Sequence, residues 1–403
     1  MQRVCHPQLL PVLQTAEMTN DRLPIAIDLF CGVGGMSLGF EQAGFHVMGA
    51  FDVEERHVET YRRNFPSSSA FVADLSKTTG DEIRQLAGIK QQAINVVFGG
   101  PPCQGFSMGG KRQANDPRNT LLGHFARIVG ELKPHYFVAE NVEGLMLGHA
   151  KKALESFLTR VKEMGYCVVE PVRVLDASDY GVPQRRRRTF ILGYQRGLAK
   201  PNYPAACGLA TSTGDVIHPT VRDAIVDLPK VDRIAHLFDR DEAKPSFGPA
   251  SYYAQLLRGD IVDPFDRSIH RERKATVLTG CLRTRHSEET IQRFRNTPQG
   301  KAEAVSRYIR LKLDTYSPTI RAGTANDHGS HTAPRPIHPT EPRCITVREA
   351  ARLHSFPDWF QFHPTRWHGF RQIGNSVPPR LARAVAVTLE QIMQANEPPA
   401  PWG

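Results

Sequence analysis

The sequence predicts an α/β fold built on a doubly wound, mostly parallel sheet, with a smaller irregular domain attached to it. Between Leu23 and about Tyr194, short β-rich apolar runs alternate with amphipathic helical segments, and several of the runs are apolar on both faces. The chain has 403 residues, of which 40% are hydrophobic and 23% are charged, as in globular enzymes that bury a substantial core. These observations exclude a disordered or a fibrous protein.

Five runs are predicted to be strands because they are rich in β-branched and aromatic residues and are bounded by turn residues. They are IAIDLF (25–30), HVMGAFD (46–52), INVVFGG (94–100), YFVAENV (136–142) and RTFILGY (188–194). Helices are predicted where apolar residues recur at intervals of three and four. This spacing occurs over residues 121–132, 154–164, 347–354 and 381–393, and Gly165 is placed to end the second of these helices.

The composition and the regular spacing of apolar residues change near Pro201 and change back near Arg343. The residues between are rich in Pro, Gly, Thr, Arg and His and show few regular periods. The predicted organisation is an N-terminal arm (1–22), a large α/β domain (23–199), an irregular smaller domain (200–342) and a C-terminal segment (343–403) that returns to the large domain. Within the irregular domain, SPTIRAGT (317–324) is expected to form a turn and a strand leading back to the large domain.

The charge of the chain favours a polyanionic partner. Lys and Arg number 51 against 41 acids, a formal net charge of +10. From Arg267 to Lys312 there are 12 Lys and Arg residues against four acids, although such a run is also typical of a solvated surface.

Composition also bears on the compartment. No apolar run approaches the roughly 20 residues that span a bilayer, and residues 1–22 lack the pattern of a secretory signal. The seven cysteines are scattered and never spaced as Cys-x-x-Cys, so neither a disulfide framework nor a zinc ribbon is predicted. We therefore expect a cytoplasmic protein without a metal site.

The motif DLFCGVGG (28–35) follows the first predicted strand and precedes a helical pattern. Its three glycines let backbone amides approach a ligand at the carboxyl end of that strand. Asp52 ends the second strand, about 20 residues on, where an acid can bind a ribose hydroxyl. Asp74 ends the next probable strand, where its carboxylate could reach an adenine amine. These residues predict a nucleoside pocket, but they leave open whether the ligand is a dinucleotide or S-adenosylmethionine.

The motif GGPPCQGFS (99–107) is the sharpest chemical signal in the sequence. A strand ends in two glycines, two prolines stiffen the turn, and Cys103 follows at once. Most cysteines are small buried hydrophobes, but Cys103 lies where ligands bind in open α/β sheets. The glycine-rich run over 105–110 is typical of a loop that closes over a substrate.

Two further motifs place polar residues at strand ends. In AENVEGL (139–145), Glu140 and Asn141 end a core strand, where a carboxylate is either a capped surface acid or an active-site hydrogen-bonding group. In PQRRRRTF (183–190), the arginine run opens a strand, so that alternate side chains point to opposite faces. Arg186 and Arg188 then share one face, which we interpret as the cleft.

Together these motifs closely resemble those of the bacterial carbon-5 cytosine-specific DNA methyltransferase family. DLFCGVGG is similar to the family's cofactor loop, GGPPCQGFS to its nucleophile loop, ENVEGL to its Glu-Asn-Val signature and QRRRR to its arginine run. TVREAARLHSFPDWF (346–360) and RQIGNSVPPRLA (371–382) are similar to its last two motifs, and all six follow the family's order. The resemblance covers about residues 23–194 and 343–395, and 195–342 corresponds to the family's variable target-recognition region.

The resemblance implies a fold of the S-adenosylmethionine-dependent methyltransferase type, with 23–199 as catalytic and cofactor-binding domain and 200–342 as target-recognition domain. It also implies the reaction, in which the Cys103 thiolate adds to carbon-6 of a cytosine flipped out of duplex DNA, and carbon-5 then accepts the methyl group. Glu140 would bind ring N3 and the exocyclic amine, while Arg188 and Arg186 would support the base and its phosphate. The methyl donor would be S-adenosylmethionine, the product S-adenosylhomocysteine, and no metal would be required.

The other site residues carry over from the same motifs. Those implied for the cofactor are Phe30, Gly32, Gly34, Gly35, Asp52, Val53, Asp74, Leu75, Pro101, Asn375 and Ser376. Those implied for DNA are Gln104 and Ser107 in the nucleophile loop and, as candidates in the basic stretch, Arg283, Arg285, Arg293 and Arg295. The sequence departs from the family at Asp52, where glutamate is more usual, and in the unbroken arginine run.

The expected partner is double-stranded DNA of the bacterial nucleoid. The enzyme would either serve a restriction-modification system with an endonuclease partner or act alone as an orphan epigenetic regulator. An RNA cytosine-5 methyltransferase of a related branch stays open as an alternative, although the large basic insertion favours DNA. A catalytically silent DNA-binding relative conflicts with the intact Cys103, Glu140 and arginine run, and a nicotinamide oxidoreductase would have no use for the Pro-Pro-Cys loop.

Overall fold

A computed structural model describes residues 23–102, 121–148, 150–268, 274–323 and 335–395 of the chain. The strands are Ile25–Leu29 (β1), His46–Asp52 (β2), Ser69–Val72 (β3), Val96–Gly99 (β4), Tyr136–Val142 (β5), Tyr166–Val168 (β6), Arg173–Asp176 (β7), Arg187–Gln195 (β8), Leu209–Ala210 (β9) and Val216–Ile217 (β10). The α-helices are Gly35–Gln42 (α1), Glu55–Asn64 (α2), Gly80–Leu86 (α3), Leu121–Leu132 (α4), Ala150–Glu163 (α5), Val221–Ile225 (α6), Tyr252–Arg258 (α7), Glu288–Asn296 (α8), Val347–Leu353 (α9), Arg366–Asn375 (α10) and Pro379–Ala395 (α11).

Eight of the strands form one mixed sheet in the order β3-β2-β1-β4-β5-β8-β6, with β7 also paired to β8. The pairs β3–β2, β2–β1, β1–β4 and β4–β5 are parallel, whereas β8 runs antiparallel to β5, β6 and β7. The predicted mostly parallel sheet is confirmed, and the strand predicted over 188–194 is present as its reversed member. Because β1 pairs with β2 on one side and with β4 on the other, a crevice forms outside the carboxyl ends of β1 and β4.

Helices cover both faces of the sheet, as strands that are apolar on both faces require. On one face, side chains of α3, α4 and α5, among them Ile83, Phe125 and Phe157, pack with those of β1, β4 and β5. On the other face, α1 and α11 pack together through residues that include Phe40 and Leu389. The helix predicted over 121–132 is confirmed in full, and the next one begins earlier than predicted and is followed by Gly165 in the left-handed region.

The C-terminal helix α11 lies directly on α1, at the other end of the sequence. A Cβ atom on Gly39 would lie 2.5 Å from both the Arg383 nitrogen and the Pro379 oxygen, so the two backbones touch. Pro379 occupies the first helical position of α11, where its missing N–H leaves no acceptor unpaired. Helices α1 and α11 therefore cover this face of the sheet together.

The region between Pro201 and Arg343 has few regular elements, and most of its described apolar core residues pack with the large domain. Side chains such as Tyr253 and Leu278 join one cluster with Leu38, Tyr61 and the aromatic residues of the C-terminal segment. Phe294 and Ile337 form a small separate cluster with Cys344. Within the first cluster lies α9, whose arginines are buried in ion pairs that reach Asp227 and Asp358. In the residues that the structure describes, no helix has both the length and the apolar character needed to cross a membrane.

The prediction of a strand within SPTIRAGT was wrong for the described part of that segment. Residues 317–323 make one isolated parallel bridge, between Ser317 and Gln184, instead of a ladder. The physical reason is that Pro318 has no N–H to donate and that side chains satisfy the neighbouring backbone, since the Ile320 N–H donates to the Gln184 side chain. The segment does lie against the large domain, as expected.

We predict that Gly39→Ala lowers the free energy of unfolding by about 1–3 kcal/mol, because the new methyl group would force α1 and α11 apart. Gly123→Ala in α4 is the matched control. Among the described residues outside its own helix, the atom nearest to its Cβ would be the Arg160 guanidinium at 3.9 Å, so the variant should be neutral or stabilising by about 0.5–1 kcal/mol. Urea unfolding of both variants measures the difference, and equal stabilities would contradict the packing described for α1 and α11.

Candidate active site

The loop between β1 and α1 has an unusual backbone that brings it close to the crevice. Phe30, Gly32 and Gly34 all have positive φ, at 61°, 54° and 91°. A Cβ on Gly34 would lie 2.4 Å from the Phe65 ring, and one on Gly35 would lie 2.3 Å from the Val377 carbonyl oxygen. Around Gly32, by contrast, no described residue other than its two chain neighbours lies within 4 Å of the Cβ position. The loop is therefore packed on its inner side and open at Gly32, which suits the approach of a ligand.

Asp52 closes this loop from the end of β2. One carboxylate oxygen, Oδ2, accepts the Gly32 N–H at 2.9 Å, and Oδ1 accepts the Glu54 N–H at 2.8 Å. The next residue, Val53, is 70% exposed, which is high for an apolar side chain beside a crevice. Asp52 and Val53, both predicted for the cofactor, thus present a fixed carboxylate and an exposed apolar side chain at the carboxyl edge of the sheet.

Asp74 follows β3 on this edge and remains a charged, partly exposed carboxylate. Hydrogen bonds from the Ser76 hydroxyl, at 2.6 Å, and from Lys77 hold its pKa below the ordinary value. Leu75, the other residue implied there, is buried in the cluster below the sheet. Asp74 is the member of this pair whose side chain is available to a ligand.

The C-terminal segment reaches the loop from the opposite side. The Cβ of Ser376 would lie 3.1 Å from one placed on Gly35, and the Ser376 hydroxyl donates to the Gln372 carbonyl at 2.7 Å. Asn375, beside it, is exposed. The structure therefore brings together the glycine loop and the GNSVP segment, which are more than 300 residues apart in the sequence.

Glu140 and Arg188 form a buried ion pair next to the end of β4. Because β8 is antiparallel to β5, its first residues lie beside the last residues of β5, and the Arg188 Nε lies 3.0 Å from the Glu140 Oε1. A Cβ on Gly100 would lie 2.8 Å from the other oxygen, Oε2, so glycine is needed there. Burial raises the pKa of Glu140, and the positive charge of Arg188 limits that rise. The protonated carboxyl is consequently more populated than in water.

Asn141 ties this pair to the chain that leads to Cys103. Its side-chain nitrogen donates to the Pro101 carbonyl at 3.0 Å, and its oxygen accepts the Val142 N–H. Pro101 is thus held beside Glu140, two residues before the cysteine. Cys103, Gln104 and Ser107 themselves lie outside the described residues. No role was predicted for Asn141, although its place next to the acid at a strand end was a signal for one.

Arg186 is the most buried arginine of the run, and its contacts differ from those of Arg188. Its two terminal nitrogens donate to the carbonyls of Ile320, Gly374 and Ser376 at 3.1, 2.7 and 2.8 Å. The described partners of Arg186 are therefore backbone oxygens from the irregular region and from the C-terminal segment. The positive charge still acts on the neighbouring acid, since it helps to lower the pKa of Glu140.

Two residues beside Arg186 were missed by sequence reasoning. Gln184 donates to the Leu353 carbonyl and to the His354 Nδ1, while its own oxygen accepts the Ile320 N–H. The opposite nitrogen of His354 lies 3.0 Å from the Ser376 carbonyl, so this histidine is neutral and carries its proton on Nε2. Burial lowers the pKa of His354, and the charge of Arg186 lowers it further. The position of Gln184 at the head of the arginine run was the signal.

Comparison with known proteins agrees with this geometry. The family model described as C-5 cytosine-specific DNA methylase matches residues 25–391. The chain belongs to this family. It is 50% identical over 372 residues to the Type II methyltransferase M.XorII of Xanthomonas oryzae pv. oryzae, covering 92% of this chain and 85% of that protein. It is 34% identical to the Type II methyltransferase M.AgeI of Thalassovita gelatinovora, covering 90% of this chain and 98% of that protein.

Solved structures support the same assignment. A prophage-encoded protein of Escherichia coli, described as a DNA modification methyltransferase, has a TM-score of 0.76 and 33% identity, covering 92% of this chain and 99% of that one. The Dnmt2 methyltransferase of S. pombe has a TM-score of 0.54 at 16% identity, covering 93% of this chain and 99% of that one, which shows a shared fold alone. The protein is a DNA methyltransferase of the cytosine-5 class, as the motifs predict.

The arginines that the sequence suggests for DNA contact already have partners within the methyltransferase. Arg283 pairs with Asp232 at 3.1 Å and Arg285 with Asp239 at 3.0 Å, and both guanidinium groups stack on the Phe238 ring. Two more lie on α8, where one pairs with two glutamates and the other contacts a glutamine. These are Arg293, with Glu289 and Glu303, and Arg295, with Gln292.

Two arginines outside the predicted stretch have no acidic partner in the part of the chain that the structure describes. Arg335 stacks on the Phe370 ring at 5.0 Å, and Arg366 donates to the Arg283 carbonyl. The two guanidinium groups lie close enough that Arg366 lowers the pKa of Arg335, after the larger effect of burial. Arg366 lies in the segment HPTRWHGF (363–370), and the spacing of the residues in this segment does not predict a DNA contact.

We predict that Arg186→Lys lowers the free energy of unfolding by about 3 kcal/mol, because one ammonium group cannot reach three carbonyls and the unpaired buried acceptors are costly. The matched control is Arg187→Lys. Arg187 is 59% exposed and pairs with Glu143 at the surface, so its variant should change stability by less than about 0.5 kcal/mol. Urea unfolding tests both, and a stability of Arg186→Lys equal to that of the control would refute the role assigned to Arg186.

Proposed function

We propose that this DNA (cytosine-5-)-methyltransferase flips its target cytosine out of duplex DNA and methylates it through a covalent Cys103 adduct. The observation that carries the proposal is the buried Glu140–Arg188 pair, which lies against Gly100 and is joined through Asn141 to Pro101. The residues proposed to act on the base thus converge at the carboxyl edge of the sheet, next to the start of the nucleophile loop. A base inside a stacked duplex could not reach this edge, which is why flipping is part of the proposal.

Residues of this chain also fit the cofactor that the family uses. The proposed binding surface is the open side of Gly32, the fixed Asp52 carboxylate, the exposed Val53 and, further along the edge, Asp74. Asp52 would accept from the ribose and Asp74 from the adenine amine, while Ser376 and Asn375 would close the pocket. S-adenosylmethionine supplies an electrophilic methyl group when it is bound there.

In the proposed reaction, the Cys103 thiolate forms a bond to carbon-6 of the cytosine, which makes carbon-5 nucleophilic. Glu140, whose pKa is raised by burial, donates a proton to ring N3 and so neutralises the charge that the thiolate brings into the ring. Arg188 holds that carboxyl in place and supports the base. The methyl group leaves the donor sulfur as it bonds to carbon-5. A base then removes the carbon-5 proton, the bond to the Cys103 sulfur breaks and N3 returns its proton to Glu140, which restores the ring, the thiolate and the acid.

The remaining assignments are proposals at the level of regions and partners. Residues 23–199 are the catalytic and cofactor-binding domain, 200–342 the target-recognition domain, and 343–403 the segment that closes the cofactor pocket. The Type II relatives support a restriction endonuclease as the partner of this protein. For DNA contact we add Arg335 and Arg366 to the four arginines of the basic stretch, since their positive charge is not neutralised within the described chain.

The function is tested by incubating plasmid DNA and S-adenosylmethionine with the wild type, Cys103→Ala, Glu140→Gln and the control Glu143→Gln, and by mapping methylated cytosines with bisulfite sequencing. We expect the wild type and Glu143→Gln to methylate one short recurring context, because Glu143 is a surface residue. Cys103→Ala should bind DNA without methylating it, and Glu140→Gln should be slower by about 100- to 10,000-fold. Methylation by Cys103→Ala would overturn the covalent mechanism, and methylation of tRNA in place of plasmid would favour the RNA alternative.

The added arginines are tested by the salt dependence of binding to a duplex that carries the mapped context. For Arg335→Gln and Arg366→Gln we expect the slope of log K against log salt concentration to fall by about one each, as for the loss of one phosphate contact. Arg196→Gln is the matched control, because this exposed arginine follows β8 at the amino edge of the sheet, away from the crevice. Slopes equal to that of the control would show that neither arginine touches phosphate.

A further inference from the structure

His57 is buried beside the carboxylate that is proposed to hold the cofactor ribose. Its Nδ1 lies 3.3 Å from the Asp52 Oδ1, and both side chains are largely buried, at 14% and 13% exposure. A carboxylate oxygen can only accept, so Nδ1 carries the proton in this contact. Neither the motifs nor the resemblance pointed to His57, which lies within α2, five residues after the strand that ends at Asp52.

The three donors to Asp52 are distributed unequally between its two oxygens. Oδ1 accepts from the Glu54 N–H and from His57, which uses the two lone pairs of that atom. Oδ2 accepts only the Gly32 N–H among the described residues and keeps one lone pair open. The open lone pair therefore belongs to Oδ2, the oxygen that contacts the glycine loop. The contact is at Gly32, where the described residues leave the loop open to a ligand.

We propose that His57 is a positioning residue for cofactor binding, which locks the rotation of the Asp52 carboxylate so that Oδ2 faces the ribose hydroxyl. This inference rests on the proposed role of Asp52 at the ribose. It accounts for the use of the shorter acid in this chain: aspartate lies one methylene closer to its own backbone than glutamate would, and a carboxylate so placed is held by the Glu54 N–H, the Gly32 N–H and His57 together.

The contact also has a favourable electrostatic setting. Asp52 lies at the N-terminus of α2, where Glu54 is the N-cap residue and the helix dipole favours negative charge. The Glu54 N–H fixes one point of the carboxylate and the Gly32 N–H fixes another, but Gly32 is part of the loop that a cofactor would touch. His57, from within α2, supplies a second donor to Oδ1 that is independent of that loop. Its removal would leave Oδ1 held by the Glu54 N–H alone, so that the carboxylate could turn about this one contact together with the loop.

The experiment measures S-adenosylhomocysteine affinity by calorimetry for the wild type, His57→Ala, His57→Asn and Asp52→Asn, with DNA affinity and melting temperature recorded in parallel. We expect His57→Ala to weaken S-adenosylhomocysteine binding by about tenfold, as for the loss of one charge-assisted hydrogen bond, and to leave DNA affinity unchanged. His57→Asn should restore most of the affinity, because the asparagine amide nitrogen can take the place of Nδ1. His218→Ala, an exposed histidine in the irregular region, is the control.

Steady-state kinetics and a double variant separate positioning from a merely structural role. In methylation assays, His57→Ala should raise KM for S-adenosylmethionine and leave kcat close to the wild-type value. In the Asp52→Asn background, His57→Ala should have little further effect on affinity, because the group that it positions is already lost. Additive losses in the double variant, or no rescue by His57→Asn, would overturn the inference. If Asp52→Asn itself binds S-adenosylhomocysteine as well as the wild type, the ribose assignment fails instead.

Discussion

The arrangement of the site depends on one buried guanidinium group, that of Arg186. It lies where β8 begins, and it donates to backbone carbonyls of two distant segments, to Ile320 in one and to Gly374 and Ser376 in the other. Carbonyl oxygens that are buried without a donor are costly, so the three segments are stable together only while the arginine is there. Because β8 begins at the next residue and contains Arg188, the residue that joins the irregular region to the sheet also fixes the position of the Glu140–Arg188 ion pair.

The irregular region shows the same use of buried charge on a larger scale. Arg352, on α9, bonds with both oxygens of Asp358 and of Asp227, and Arg343 bridges Asp232 and Glu349. Taking such charges out of water costs free energy, and apolar side chains would stabilise a fold at least as well. Ion pairs of this kind provide orientational specificity, because their hydrogen bonds form in only one relative placement of the two segments that they join. A region with few regular elements is thereby held in a single orientation to the crevice.

Much of this structure could be predicted because its signals are local. A strand such as His46–Asp52 is apolar, short and bounded by turns, and its limits match the prediction. The glycine loop and the Pro-Pro-Cys loop are contiguous motifs whose residue types follow from the chemistry. Strand direction was harder, because β8 has the same composition whether it runs parallel or antiparallel. The strand expected in 317–324 does not form in the described part of that segment, because its neighbour does not present a backbone edge to pair with. The Ile320 N–H donates to the Gln184 side chain instead.

The residues that sequence reasoning missed are those whose role depends on a distant partner. His57, Gln184 and His354 are ordinary polar residues in the sequence, and each acquires a role only from the group that it faces. Arg283 shows the converse, because its charge was visible in the sequence while its partner Asp232, about 50 positions away, was not.

The contact between Gly35 and the segment around Ser376 has a consequence for the newly made protein. Residues 374–377 leave the ribosome long after the glycine loop, so a growing chain has an unfinished pocket for most of its synthesis. The Gly374 and Ser376 carbonyls, which accept from Arg186, are synthesised equally late. Folding of this part of the protein therefore depends on contacts of very long sequence separation. A chain that ends before this point consequently lacks both the segment that covers the glycine loop and two of the three carbonyls that accept from Arg186.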